Sequence, residues 1–309
     1  MLNRKDLVFL ENNSIKETKR CMKDINPFLF TLGLFFIMQL GSGIFIGFTS
    51  YFLKDPSSGQ SLESYIMTSD YFPILSLLST LFVSVLVYLF VKFFQKRTNR
   101  SLGFGSGRGF RDYFRGLVFG FLILSLSFIL AYIFGGYKVS LNIGNINIKM
   151  FLLFVIGWIF QGFEEEFITR AILMNYFAAR SGIGAGIVIN SLVFAILHLG
   201  NSSFSIIAFI NLFLVGLVFS MLFYLTDSIY TSAAAHSVWN FLQANVFGIS
   251  VSGIINTPHT IFRSEAIGKD IISGGGFGIE ASLVVSLILI LSLYFLYKKA
   301  KSSKLIIKG

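Results

Sequence analysis

Three groups of polar residues at helical spacing interrupt a sequence that is otherwise apolar. They are Glu165 and Glu166 with Arg170, His198 four residues after Phe194, and His236 with Asn240. A carboxylate and an imidazole held together can bind a water molecule and take its proton, while a second imidazole and an amide donate hydrogen bonds to the oxyanion formed when that water attacks a carbonyl. Glu165, His198, His236 and Asn240 therefore have the side-chain types needed to hydrolyse an amide bond. Neutral imidazoles with a carboxylate also suit a divalent metal such as Zn²⁺, so Glu165, His198 and His236 are the ligand candidates if a metal is bound. No His-Glu-x-x-His helix is present, and metal-free activation of water stays equally open.

Each group sits on a stretch that reads as helix. Glu166 and Arg170 are four apart with the acid first, the favourable order for an ion pair on one face. Glu165 then lies about 100° around the helix, free of that pair. Gln161 joins the acidic run inside the same apolar stretch, whereas Glu164 reads as a charged head reaching for the headgroups at the end of a span. Asn190, Phe194 and His198 recur at intervals of four, and Ser232, His236, Asn240 and Gln243 form a polar stripe. His259, next to Pro258, reads as a solvated loop residue.

The elements that must carry these groups are membrane helices. Of 309 residues, 54% are hydrophobic and 13% charged, and the mean hydropathy is +0.75. Such a chain is a polytopic membrane protein, and acids and histidines inside its spans are expensive enough to mark function. A crossing takes about 20 helical residues. Runs of that kind extend from Phe28 to Leu53, Phe72 to Phe94, Phe114 to Gly135, Met150 to Asn175, Ile183 to Leu199, Ser205 to Thr226, Ser228 to Phe247 and Ile279 to Tyr297. The expected fold is all-α: a polytopic bundle of about eight transmembrane helices around an intramembrane catalytic cavity.

The organisation that follows is a basic N-terminal segment (1–27), three N-terminal helices with a basic loop (28–135), a catalytic core of four helices (150–247), and a last helix with a basic tail (279–309). Lys and Arg concentrate in the first segment, in the loop with Lys96, Arg97, Arg100, Arg108 and Arg111, and in the tail. With an even number of crossings these lie on one side, which places both termini in the cytoplasm of a multi-pass cell-membrane protein. The net charge of +10 is thereby assigned to lipid headgroups, with no nucleic-acid partner. The glycine-rich loop from Leu102 to Gly109 lacks the Lys-Ser/Thr ending of a phosphate-binding loop and reads as a spacer after the second span; Gly274-Gly275-Gly276 reads as a flexible link. A single cysteine, Cys21, excludes an internal disulfide framework.

Taken in order, Glu165-Glu166-Phe-Ile-Thr-Arg170, Phe194-Ala-Ile-Leu-His198 and His236-Ser-Val-Trp-Asn240 resemble the three motifs of the CPBP intramembrane proteases, the CAAX-protease, bacteriocin-processing or Abi family. The resemblance covers about Met150 to Phe247. It implies that Glu165 and His198 activate the attacking water, that His236 and Asn240 stabilise the oxyanion, and that Glu166 with Arg170 organises the site. The partner it implies is a hydrophobic or membrane-anchored peptide in the bilayer; it assigns no oligomeric state and no metal. Ala171 stands where the family often has Gly after the motif arginine.

Two other uses of the same residues compete. A non-catalytic interaction or immunity protein would use the polar cluster as a structural lock, and a transporter would use it as a proton relay, although no pair of interrupted helices repeats between two halves. Convergence also sets a condition. With the N-terminus inside, Glu165 and His236 lie toward the cytoplasmic ends of their spans while His198 closes a short span at its outer end. The four residues meet only if Gly200-Asn201-Ser202-Ser203 breaks the helix at membrane depth against a wet cavity.

Overall fold

The computed structural model describes residues 7–254, 257 and 259–308. Arg4, Lys5 and Pro258 lie outside the described residues. From the N-terminus come a short strand β1 (Leu7–Phe9), helix α1 (Asn13–Cys21), the long apolar α2 (Pro27–Leu53), a surface helix α3 (Leu62–Thr68), α4 (Phe72–Phe93) and α5 (Gly109–Ile133). Strand β2 (Tyr137–Leu141) leads to α6 (Ile148–Glu166), which widens into π turns over Phe167–Met174 and runs on as α7 (Asn175–Ser181). Then follow α8 (Ile183–Leu197), α9 (Ile206–Thr226), α10 (Ile229–Phe241) with π turns over Leu242–Val246, strand β3 (Phe262–Ala266), the short α11 (Asp270–Ser273), α12 (Leu283–Ser302) and strand β4 (Ile306–Lys308).

Among the described residues, five helices can cross a membrane by length and composition: α2, α4, α5, α9 and α12; α8 is a shorter apolar helix. Their outer faces carry exposed Phe28, Phe36, Phe48, Leu122, Ile133 and Phe295, an apolar belt that a water-soluble protein would hide. The chain is mostly helical as expected, with two additions that hydropathy did not show. β1 pairs antiparallel with β4, and β2 with β3. The first pairing sets Val8 opposite Ile307. At the same end Tyr224 Oη donates to Leu10 O at 2.7 Å and Leu305 O at 2.8 Å. The segments around Leu10 and Leu305 are therefore both fastened to one end of α9.

Three expectations change. The fourth run does not stop at Asn175, because α6, its π turns and α7 form one rod to Ser181; Glu165 lies in its middle and not near an end. The loop around Leu102 does separate the first two spans from the rest, but Arg97 just before it is not at the surface with the other basic residues. Arg97 is buried, donating to Thr18 Oγ1, Ser101 O and Ala171 O, and a Cβ on Gly103 (φ 79°) would stand 2.8 Å from the Phe223 ring. The run at Gly274 is packed, since a Cβ there would meet Gly278 O at 1.8 Å. Gly278 (φ 102°) ends this turn, and Ser282 caps α12 by accepting from Val285 N, so the last helix starts at Leu283.

α10 is clamped between two neighbours through glycines. On α5, Gly116 and Gly120 face the Thr231 and Ala235 carbonyls, where Cβ atoms would stand 2.1 and 2.3 Å away. On α6, Gly162 faces Ser237, with the added Cβ 2.4 Å from its Oγ. Small residues let helix backbones approach this closely in an apolar solvent, where van der Waals packing drives association. Gly120→Ala is expected to force α5 off α10 and destabilise the protein by about 1–3 kcal/mol, read as a lower thermal unfolding midpoint in detergent. Gly33→Ala on α2, with nothing within 4 Å, should leave the midpoint nearly unchanged.

Candidate active site

The clamp on α10 carries His236 against the acidic face of α6. His236 Nδ1 stands 2.9 Å from Glu166 Oε1, and the same oxygen accepts from Arg170 Nη1 at 2.8 Å. Glu166 and Arg170 are fully buried. Arg170 also donates to Thr169 Oγ1 at 2.6 Å and to Gly216 O at 3.2 Å, and its guanidinium lies 4.8 Å from the centre of the Phe194 ring. A carboxylate bonded to imidazole Nδ1 fixes that nitrogen as the donor. The ring then turns its Nε2 edge toward Glu165, whose Oε2 is 3.7 Å away.

Glu165 is held from its other side. Gln161 Nε2 donates to Glu165 Oε1, and Gln161 Oε1 accepts from Asn240 Nδ2 at 2.8 Å. An amide chain therefore runs from α10 to the carboxylate on α6. Gln161 lies one helical turn before Glu165, and its place beside the acidic run inside an apolar stretch had marked it in the sequence.

His198 arrives from the end of α8. Its Nδ1 is 2.8 Å from Phe194 O; a carbonyl oxygen can only accept, so Nδ1 is the donor of this bond, and in the neutral tautomer that makes it, Nε2 is the acceptor. The helix stops at Leu197 and the chain turns over His198–Ser203 before α9 begins. Convergence is met in this way. Glu165, His198, His236 and Asn240 line one cavity of 190 Å³, together with Trp158, Trp239 and Phe219.

Two sequence readings are corrected in this region. Glu164 does not reach for headgroups: it is 4% exposed, because the rod continues past it to Ser181. His259 is half-buried, with Nδ1 accepting from Asn147 N at 3.4 Å and its carbonyl accepting from Asn245 Nδ2 at 3.0 Å. A further acid, Glu280, lines the cavity from the turn before α12. The reading of the last span as an apolar run from Ile279 passed over it, although an acid one residue into such a run is the same signal that singled out Glu165.

As for a metal, no group of three His, Cys, Asp or Glu among the described residues is placed to hold an ion. Glu165, His198 and His236 line the same cavity but do not form such a set.

The buried ion pair makes a stability prediction. Arg170→Met leaves Glu166 charged with only His236 to pair it; breaking a buried pair by removing one partner costs about 3–5 kcal/mol. Glu166→Gln combined with Arg170→Met should recover part of this loss, as measured by thermal unfolding of the two variants in detergent.

Residues 145–242, from just before α6 to the start of the π turns after α10, match the family model of type II CAAX prenyl endopeptidase Rce1-like proteins. No curated protein and no solved structure matches the chain. The matched stretch contains Glu165, Glu166, Arg170, His198, His236 and Asn240, whereas Glu280 lies beyond it. Within a protein whose several apolar helices suit a multi-pass membrane setting, residues 145–242 are thus a type II CAAX prenyl endopeptidase Rce1-like domain, of the CAAX-protease kind that the three motifs resemble.

Proposed function

We propose that this chain is an intramembrane endopeptidase that crosses the bilayer about eight times, with both termini cytoplasmic, and hydrolyses a peptide bond in a hydrophobic or membrane-anchored peptide. The observation that carries the reading is the meeting of Glu165, His198, His236 and Asn240, from three separate helices, around one cavity.

In this mechanism a water molecule sits between Glu165 and the free Nε2 of His198. Both are acceptors, so they orient the water through its two protons, and Glu165 takes one as the oxygen attacks the scissile carbonyl carbon. The negative charge passes to the carbonyl oxygen. Asn240 Nδ2 has a second hydrogen beyond the one given to Gln161, and it donates this to the oxyanion. His236, protonated on both nitrogens between Glu165 and Glu166, donates from Nε2. Glu165 then returns its proton to the leaving amine, which closes the balance: one water consumed, one carboxylic acid and one amine released. Glu166 and Arg170 act by holding His236. No step in this sequence calls on a metal.

Two substitutions test the roles. Glu165→Gln keeps the bond to Gln161 possible but removes the base, and is expected to lower hydrolysis by about 10²–10⁴-fold. Asn240→Ala removes one oxyanion donor and is expected to lower kcat by about 10²–10³-fold with little change in KM. The measurement is a quantitative comparison of peptide termini in membranes from cells making wild type, Glu165→Gln at equal abundance, or neither. A fragment produced by wild type alone supports proteolysis and names the substrate. An identical pattern in all three, with the protein's phenotype intact in Glu165→Gln, would replace this reading with that of a non-catalytic scaffold.

A further inference from the structure

A second carboxylate shares the cavity. Glu280 is 9% exposed, and its Oε2 accepts from Ser252 N at 2.7 Å, Ser252 Oγ at 3.1 Å and Gln243 Nε2 at 3.2 Å. Its backbone is pinned as well, because Asn211 Nδ2 donates to Glu280 O at 2.7 Å. The other carboxylate oxygen, Oε1, accepts no hydrogen bond from a described residue, while the side chain contributes to the cavity wall. One oxygen is thus fixed by three donors and the other is offered to the cavity.

The cationic groups near the cavity are engaged by other partners: His236 lines the wall but lies between Glu165 and Glu166. Among the described residues, no Lys or Arg lines the wall. Arg170 lies behind Phe194 and is engaged by Glu166. His198 is near enough to interact electrostatically with Glu280, but its donor nitrogen is committed to Phe194 O. A buried carboxylate with an open lone pair favours an occupant that brings a cation or a strong donor, and disfavours one that brings a second negative charge. At 190 Å³ the cavity is smaller than the roughly 300–1,000 Å³ typical for a drug-sized ligand, so it takes a residue or two and holds any charged group close to the wall.

We infer that Glu280 is a specificity-determining residue, receiving an ammonium or guanidinium carried by the substrate peptide beside the bond that is cleaved. The substrate segment is then basic, and a free C-terminal carboxylate does not enter this part of the cavity. The inference rests on the hydrolytic reading of the same site for the word substrate, but the charge preference is read from binding without cleavage; Glu165 lines the same cavity, and the share due to Glu280 is the part that Glu280→Gln removes.

The test uses the purified full chain in neutral detergent at pH 7. Thermal unfolding is followed with hexylammonium, hexanol and hexanoate, three probes of one chain length and different charge, for wild type, Glu280→Gln and Ser252→Ala. Hexylammonium is expected to raise the midpoint of wild type and of Ser252→Ala above that with hexanol, hexanoate to give no such rise, and Glu280→Gln to reduce the preference. Equal shifts from all three probes in wild type, or an undiminished preference in Glu280→Gln, would overturn the inference. If Glu280→Gln does not fold, the ranking in Glu165→Gln, which keeps Glu280 and lacks the other cavity carboxylate, decides it: a retained preference for hexylammonium supports the inference and its loss overturns it. A second arm compares cleavage of apolar peptides that differ only in Lys, Gln or Glu beside the bond. Cleavage is expected to favour Lys over Glu by about tenfold or more, with the difference flattened in Glu280→Gln; equal rates for the three peptides in wild type would overturn the inference. If wild type cleaves no peptide, the hydrolytic reading fails while the probe ranking still judges Glu280.

Discussion

A carboxylate with no exposed surface must be paired or it will not stay charged, and in this molecule that constraint falls on Glu166. Its partners come from two directions, Arg170 one turn along the same rod and His236 across the interface with α10. Paired only within α6, Glu166 would be neutralised but would position nothing. Paired with His236 as well, it turns a local ion pair into a link between helices and sets which edge of the imidazole faces the cavity. The glycine contacts at Gly116, Gly120 and Gly162 serve this link, since a hydrogen bond of 2.9 Å across two helices needs backbones closer than ordinary side chains allow.

The second requirement is irregular backbone beside the cavity, and amide side chains meet it. Asn201 donates to Ser252 O, Gln243 to Ser250 O, Asn245 to His259 O, and Asn211 to the carbonyls of Glu280 and Ser282. Each replaces a bond that a continuous helix would have made. Non-helical chain survives at membrane depth only when its polar groups are satisfied in this manner. The early end of α8 at Leu197 and the late start of α12 at Leu283 are therefore one device: both leave room for a cavity, and both are stabilised by asparagines that face it or adjoin it.

Legibility followed the same physics. Glu165, Glu166, Arg170, His198, His236 and Asn240 stood out because polar residues at helical spacing in an apolar run are expensive there, and the helices bearing them were marked to within a few residues. The sequence misled where a residue's cost is hidden by a neighbour. Glu164 looked like the end of a span because three acids in a row usually mark one, yet the rod continues through π turns that hydropathy cannot register. Glu280 was absorbed into an apolar run because the cap at Ser282 is a local hydrogen bond, invisible to a window average. Arg97 counted as surface charge, although its partners at Thr18 and Ala171 are distant in the chain and only the folded bundle brings them together.

The surroundings of the site also bear on what form a substrate must take. A peptide crossing the bilayer as a helix has every carbonyl bonded within itself, and opening one to attack leaves donors and acceptors unpaired in an apolar medium. On the proposed reading, the cavity offsets this cost with its own polar groups: Asn240 and His236 toward a carbonyl oxygen, the free oxygen of Glu280 toward a donor, and Asn201 and Ser252 along the wall. A segment that is already extended or weakly helical, with a basic residue to pair with Glu280, loses least on entering. A regular apolar helix loses its internal bonds and brings no group to replace them. Selection against intact transmembrane helices then follows from the hydrogen-bond inventory of the cavity, before any contact with a particular side chain is considered.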